Sequence, residues 1–131
     1  MRVKSFEHWI KEAGDAAEIS NSFNNLVNVS KVSKLTHPEA LISMVKDSKS
    51  QIGQDLWVAN HLNLKREGFF VEVGAFDGMN LSNTWLLENS LDWKGIVIEP
   101  SYYSYSKARV CRNCLVVNKF ISNESNSEVF F

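Results

Sequence analysis

The sequence holds only two cysteines, two prolines and six glycines in 131 residues. Two cysteines cannot build a disulfide-framework protein. Neither sign of charge dominates, with fourteen Lys and Arg facing fifteen Asp and Glu for a formal charge of −1. Without a Lys/Arg cluster, that balance argues against a protein whose main task is gripping a nucleic-acid backbone. No apolar run approaches the roughly 18 residues of a membrane span. The start of the chain also lacks the basic-then-apolar layout of a secretory signal. These absences lead to the expectation of a cytoplasmic protein with no nucleic-acid partner and no membrane span. What is present is a 44% apolar fraction and 11% aromatics, enough for a real core and too much for a disordered tail. Length alone predicts a single domain.

The first half reads as helical. Phe6, Trp9, Ile10, Ala13 and Ala17 recur at three- and four-residue steps behind Ser5, which predicts a short amphipathic helix with Gly14 as a weak point. Residues 20–34, rich in Asn and Ser, read as a connector. Thr36-His-Pro-Glu39 has the spacing of a capping box with Pro38 in the first turn, opening a helix to about Asp47. A further helix is expected over 52–65, with Ile52, Leu56, Ala59 and Leu62 on one stripe.

After Gly68 the pattern changes. Phe69–Val73 is a nearly continuous apolar run ending at Gly74, read as a strand buried on both faces. A helix over 82–90 with Ser82 as cap, a second buried strand over 95–98, a helix over 101–112 and a third strand over 114–121 follow, and 128–131 starts a fourth. This alternation predicts an α/β parallel sheet flanked by helices.

In open parallel sheets ligands sit outside the carboxyl ends of the strands. Here those ends carry Glu72-Val-Gly74-Ala75-Phe76-Asp77-Gly78 and Ile98-Glu99-Pro100. A dinucleotide turn of the form G-x-G-x-x-G needs glycine at position 76, and this chain has Phe76. Such a turn also cradles an anionic pyrophosphate on bare N–H groups, which Glu72 and Asp77 would repel in a partly desolvated cleft. A nicotinamide-dependent oxidoreductase is therefore disfavoured. An acidic glycine turn suits a cationic, phosphate-free ligand, and S-adenosylmethionine has both properties. Glu99, at the tip of the neighbouring strand, is placed to accept hydrogen bonds from ribose hydroxyls.

Ser50-Gln-Ile-Gly-Gln-Asp55, Gly68-Phe-Phe-Val-Glu-Val-Gly-Ala75, Asp77-Gly78, Leu81-Ser-Asn-Thr84, Leu87-Glu88, Trp93-Lys-Gly95 and Ile98-Glu-Pro100 together resemble the amino-terminal half of FkbM-type methyltransferases. The resemblance covers residues 50–131 and leaves 1–49 as a helical extension. It implies a Rossmann-like class I methyltransferase fold that transfers a methyl group from S-adenosylmethionine, usually to a hydroxyl of a saccharide or other small molecule. By the same resemblance, Glu72, Gly74, Ala75 and Gly78 match the cofactor-binding motif, with Asp77 inside that loop, and Glu99 matches the ribose-binding acid. Ser82, Asn83 and Thr84 match the stretch opening the next helix, where they either reach the methionine end of the cofactor or cap the helix. Gln51 and Asp55 match an entry motif that either folds over the cofactor or caps its own helix. The family continues past the segment matching 114–131 into an Asp-x-Glu-Gly strand that this sequence lacks. The expected domain is thus truncated after its third strand and the start of a following one. Strand 69–73, central in the family, would become an edge inviting self-association. An inactive remnant or interaction module of the same fold is the alternative expectation.

Cys111-Arg-Asn-Cys114 has C-x-x-C spacing but no second pair, and His8, His37 and His61 are scattered, so the cysteines read as apolar filler. Tyr102, Tyr103 and Tyr105 follow Glu99 and admit two readings, adenine stacking or packing on the sheet. His61 reads as a structural histidine before it reads as a general base, and no catalytic residue is named. Sequons at Asn28, Asn80 and Asn123 read as chance.

Overall fold

The structure, a computed structural model, describes residues 16–125 and residue 128. Helices α1 (Ala16–Val32) and α2 (Pro38–Met44), a single 3-10 turn (Val45–Asp47) and helix α3 (Gln54–His61) precede the sheet. Strand β1 (Phe69–Val73), helix α4 (Trp85–Leu91), strand β2 (Lys94–Ile98), helix α5 (Tyr102–Cys111) and strand β3 (Leu115–Val117) complete the order. The three strands form one parallel sheet in the order β1-β2-β3. The helix expected over 5–17 lies outside the described residues apart from its last two positions. The strand expected over 128–131 lies outside them too, except Glu128, which is not in a strand.

The connector expected over 20–34 is instead mostly helix α1. Asn and Ser disfavour helix because their side chains compete for backbone hydrogen bonds. Tertiary contacts override that bias here. Leu26 and Val29 are buried one turn apart, and the buried Asn25 side chain donates to the Ser50 carbonyl at 3.0 Å. The capping box does not form either. Helix α2 is preceded by His37 without a side-chain cap, and Thr36 is drawn to Asn60, its N–H reaching Oδ1 at 2.9 Å and its hydroxyl at 3.1 Å.

One apolar cluster joins both halves: Leu26, Val29, Leu41, Val45, Leu56 and Ala59 from the first part meet Phe70, Leu86, Leu87, Leu91, Trp93 and Val97 from the second. Fully buried leucines such as Leu41, Leu56 and Leu86 each contribute about 2 kcal/mol by area burial.

Strand β1 is buried on one face only, against the two-faced burial its apolar run predicts. Phe70 and Glu72 turn toward the helices, while Phe69, Val71 and Val73 are about 60% exposed. Register extends this bare face across the sheet, since Val71 pairs with Ile96 and Ile96 with Leu115. Among the described residues β1 pairs with β2 alone, so its other side is a free edge. No helix among them is long and apolar enough to cross a membrane.

Candidate functional site

The carboxyl ends of β1 and β2 are stitched together by backbone hydrogen bonds, Gly74 N–H to Ile98 O at 2.8 Å and Ala75 N–H to the same oxygen at 3.2 Å. From this joint the chain makes a tight turn in which Gly74, Phe76 and Gly78 all have positive φ, +77°, +50° and +87°. The two glycines serve different needs. A Cβ on Gly74 would point into open space, whereas one on Gly78 would lie 2.8 Å from the Ala108 Cα of α5. Phe76 takes the left-handed conformation with its ring exposed. Such strain in a non-glycine residue concentrates at functional sites.

Glu99 fixes the turn from the neighbouring strand. Its carboxylate accepts from the Phe76 N–H at 2.8 Å and from the Ser101 N–H at 2.9 Å. A carboxylate has about four lone-pair sites, so acceptor capacity remains for ligand hydroxyls. Asp77 accepts from the N–H groups of Met79 at 3.1 Å and Asn80 at 2.8 Å, and from the Asn80 amide at 2.6 Å. Burial pushes the Asp77 carboxyl up, but those hydrogen bonds and the Lys107 charge outweigh it and hold the pKa below the ordinary 3.8.

Glu72 is bonded to the entry of α4. One oxygen accepts from Ser82 Oγ at 2.9 Å and Thr84 Oγ1 at 2.5 Å, the other from the Asn83 N–H at 2.9 Å. Ser82 Oγ also accepts from the N–H groups of Thr84 at 3.2 Å and Trp85 at 3.1 Å, so it completes the start of α4 although Thr84 is the residue preceding the helix. The structure therefore gathers Glu72, Ser82 and the Asn83 backbone into one network. Gly74, Ala75, Asp77, Gly78 and Glu99 form the turn above it. Ala75 is buried in the core.

The residue at the centre of that network, Arg112, carries no role in the motif reading. Its side chain is fully buried. Nε donates to Glu88 at 2.5 Å, Nη1 to Gly78 O at 2.9 Å and Ser82 Oγ at 3.2 Å, and Nη2 to Thr84 Oγ1 at 2.9 Å. The signal available in the sequence is Glu72 itself: an acid inside an apolar strand requires a buried partner. A buried carboxylate, Glu88, and a part-buried one, Glu72, thus share one guanidinium.

The remaining candidates fall elsewhere. Asp55 is fully buried and accepts from Ser48 Oγ at 2.8 Å, Ser50 Oγ at 2.6 Å and three backbone N–H groups, so it ties the segment 48–50 to the first turn of α3. His61 is exposed and stacks on Trp57, rings 5.0 Å apart. Tyr102 and Tyr103 are exposed at the start of α5, and Tyr105 is half-buried. Both thiols are half-buried, and burial pushes the pKa of Cys111 up and that of Cys114 up to about 11. No cluster of three His, Cys, Asp or Glu side chains that could hold a metal occurs among the described residues.

Fold and site together define an α/β protein with a three-stranded parallel sheet and an acidic turn at its carboxyl end. Comparison with protein-family models, curated proteins and solved structures finds no match.

Proposed function

We propose that residues 50–131 are the cofactor-binding part of an S-adenosylmethionine-dependent methyltransferase of the FkbM type, acting on a hydroxyl of a saccharide or other small molecule. The observation that carries this reading is the bridge between Glu99 and the Phe76 N–H, which sets a ribose-type acceptor directly against an acidic glycine turn. The residues fit the cofactor's chemistry. Glu99 retains acceptor sites for a diol. Arg112, the buried cation beneath the turn, is occupied by protein partners and not free to grip a phosphate. Glu72, Asp77, Glu88 and Glu99 outnumber Arg112 and Lys107 around the turn, which favours a cation. When bound, S-adenosylmethionine supplies an activated methyl group. The chain's own part is to bind and orient, since methyl transfer to an alcohol depends mainly on positioning and removal of one proton.

Titration calorimetry tests the reading. The expected result is S-adenosylmethionine binding in the micromolar range, about −7 to −8 kcal/mol, weakened at least about tenfold by Glu99→Ala. No binding, or tighter binding of NAD, overturns it. The bare face of β1 favours a second reading, an inactive interaction module of the same fold. Self-association without cofactor binding would select that reading.

A further inference from the structure

The junction between α5 and β3 clamps the glycine turn through consecutive residues. Cys111 Sγ donates to the Asp77 carbonyl at 3.3 Å, and Arg112 Nη1 donates to the next carbonyl, Gly78 O, at 2.9 Å. We infer that Arg112 is the positioning residue of the turn, holding the Gly78 carbonyl, the Ser82 and Thr84 hydroxyls and the Glu72 and Glu88 carboxylates in the one arrangement that binds ligand tightly.

Arginine alone among the side chains meets this geometry. Its planar fork spreads five donors over three nitrogens, so it reaches oxygens on the turn, at the entry to α4 and inside α4 together. Every oxygen it bonds belongs to the segment 72–88 that surrounds the turn, whereas Arg112 itself follows α5. The guanidinium carbon lies 5.4 Å from the Phe70 ring and 5.9 Å from the Trp85 ring, which fixes the fork's plane between sheet and helix. Its charge is as specific as its shape. Without it, Glu72 and Glu88 lose the counter-ion they share, a strongly destabilising change in the segment that surrounds the turn.

The ligand side of this inference rests on the S-adenosylmethionine reading; the clamp on the turn does not. The experiment compares the wild-type chain with Arg112→Lys, Thr84→Val and Asn60→Ala. Asn60 is the centre of a separate buried network, with Thr36, Ser33 and Lys34, and controls for lost stability alone. Calorimetry gives the S-adenosylmethionine affinity, and amide hydrogen exchange gives the protection of residues 74–84. Arg112→Lys is expected to bind about tenfold more weakly and exchange faster across 74–84. Asn60→Ala is expected to lower the melting temperature while its affinity stays within about twofold of wild type. Wild-type affinity in folded Arg112→Lys overturns the inference, as does an equal loss in Asn60→Ala. Should Arg112→Lys fail to fold, Thr84→Val removes one arm of the fork, with about threefold weaker binding expected and unchanged affinity overturning it. If the wild-type chain does not bind S-adenosylmethionine, the function falls, and exchange alone judges the clamp: unchanged protection of 74–84 in the variants then refutes it.

Discussion

Gly74 and Gly78 occupy equivalent-looking places in one motif, yet the structure loads them differently. Both have positive φ, so an alanine at either meets the left-handed penalty of about 1 kcal/mol. Only at Gly78 does the new methyl strike backbone, 2.8 Å from Ala108 Cα. Helix α5 must then move, adding overpacking for a total of about 3 kcal/mol. Urea denaturation should show Gly78→Ala losing clearly more stability than Gly74→Ala; equal losses would mean α5 yields freely. That both positions demand glycine was legible from the turn. Which of them also seats a helix was not, because Ala108 is thirty residues away in sequence. Arg112 was hidden for the same reason: nothing local tells a buried arginine from a solvated one, and its partners come from β1, the turn and α4.

Among the elements, the turn over 77–80 is built on one carboxylate. Asp77 has a lowered pKa in the fold, so its charged form stabilises the native state at any pH above its unfolded value of 3.8. That contribution is lost as pH falls from about 3.8 through the lower folded value. Asp77→Asn keeps an acceptor oxygen but does not titrate. The stability difference between wild type and Asp77→Asn should therefore be constant above about pH 5 and shrink toward about pH 2. Urea midpoints across that range check it, and a difference independent of pH would remove the carboxylate from the turn's energetics. The alternation of strands and helices was readable because each short apolar run ends in a turn signal. Helix α1 was not, because one residue of its buried stripe is Asn25, a polar side chain whose partners lie at Ser48 and Ser50. Strand β1 misled in the opposite direction. Its three exposed side chains are apolar, and its one charge points inward to the Ser82, Thr84 and Arg112 network.

Across the whole molecule, the consequence of that inversion is a sheet whose β1 side carries a wet, largely apolar face and, among the described residues, a free edge. Phe69, Val71 and Val73 stand on it in a row, and Ile96 and Leu115 continue it sideways in register. Natural edge strands are usually blunted by lysine, proline or a bulge, and β1 has none of these on its open side. Antiparallel pairing of two β1 edges would place Val71 opposite its own copy and Phe69 opposite Val73, with the charge of Lys94, in register beside Phe69, at the flank of that contact and not at its centre. Self-association with rising concentration is the expected behaviour, seen as an increase in sedimentation coefficient or scattering mass. Val71→Lys places like charges at the centre of that contact while disturbing no buried group, because Val71 is 58% exposed. It should hold the chain monomeric at an unfolding free energy within about 0.5 kcal/mol of wild type. A wild-type chain that stays monomeric at about 100 μM, so that pairing is worth less than about 5.5 kcal/mol, would show instead that the bare face is not sticky enough to pair. Were S-adenosylmethionine affinity the same in associated and monomeric forms, the edge and the glycine turn would be independent surfaces of one fold. That independence is expected, because the bare face carries Val71 and Val73 while Glu72, between them, faces the helices.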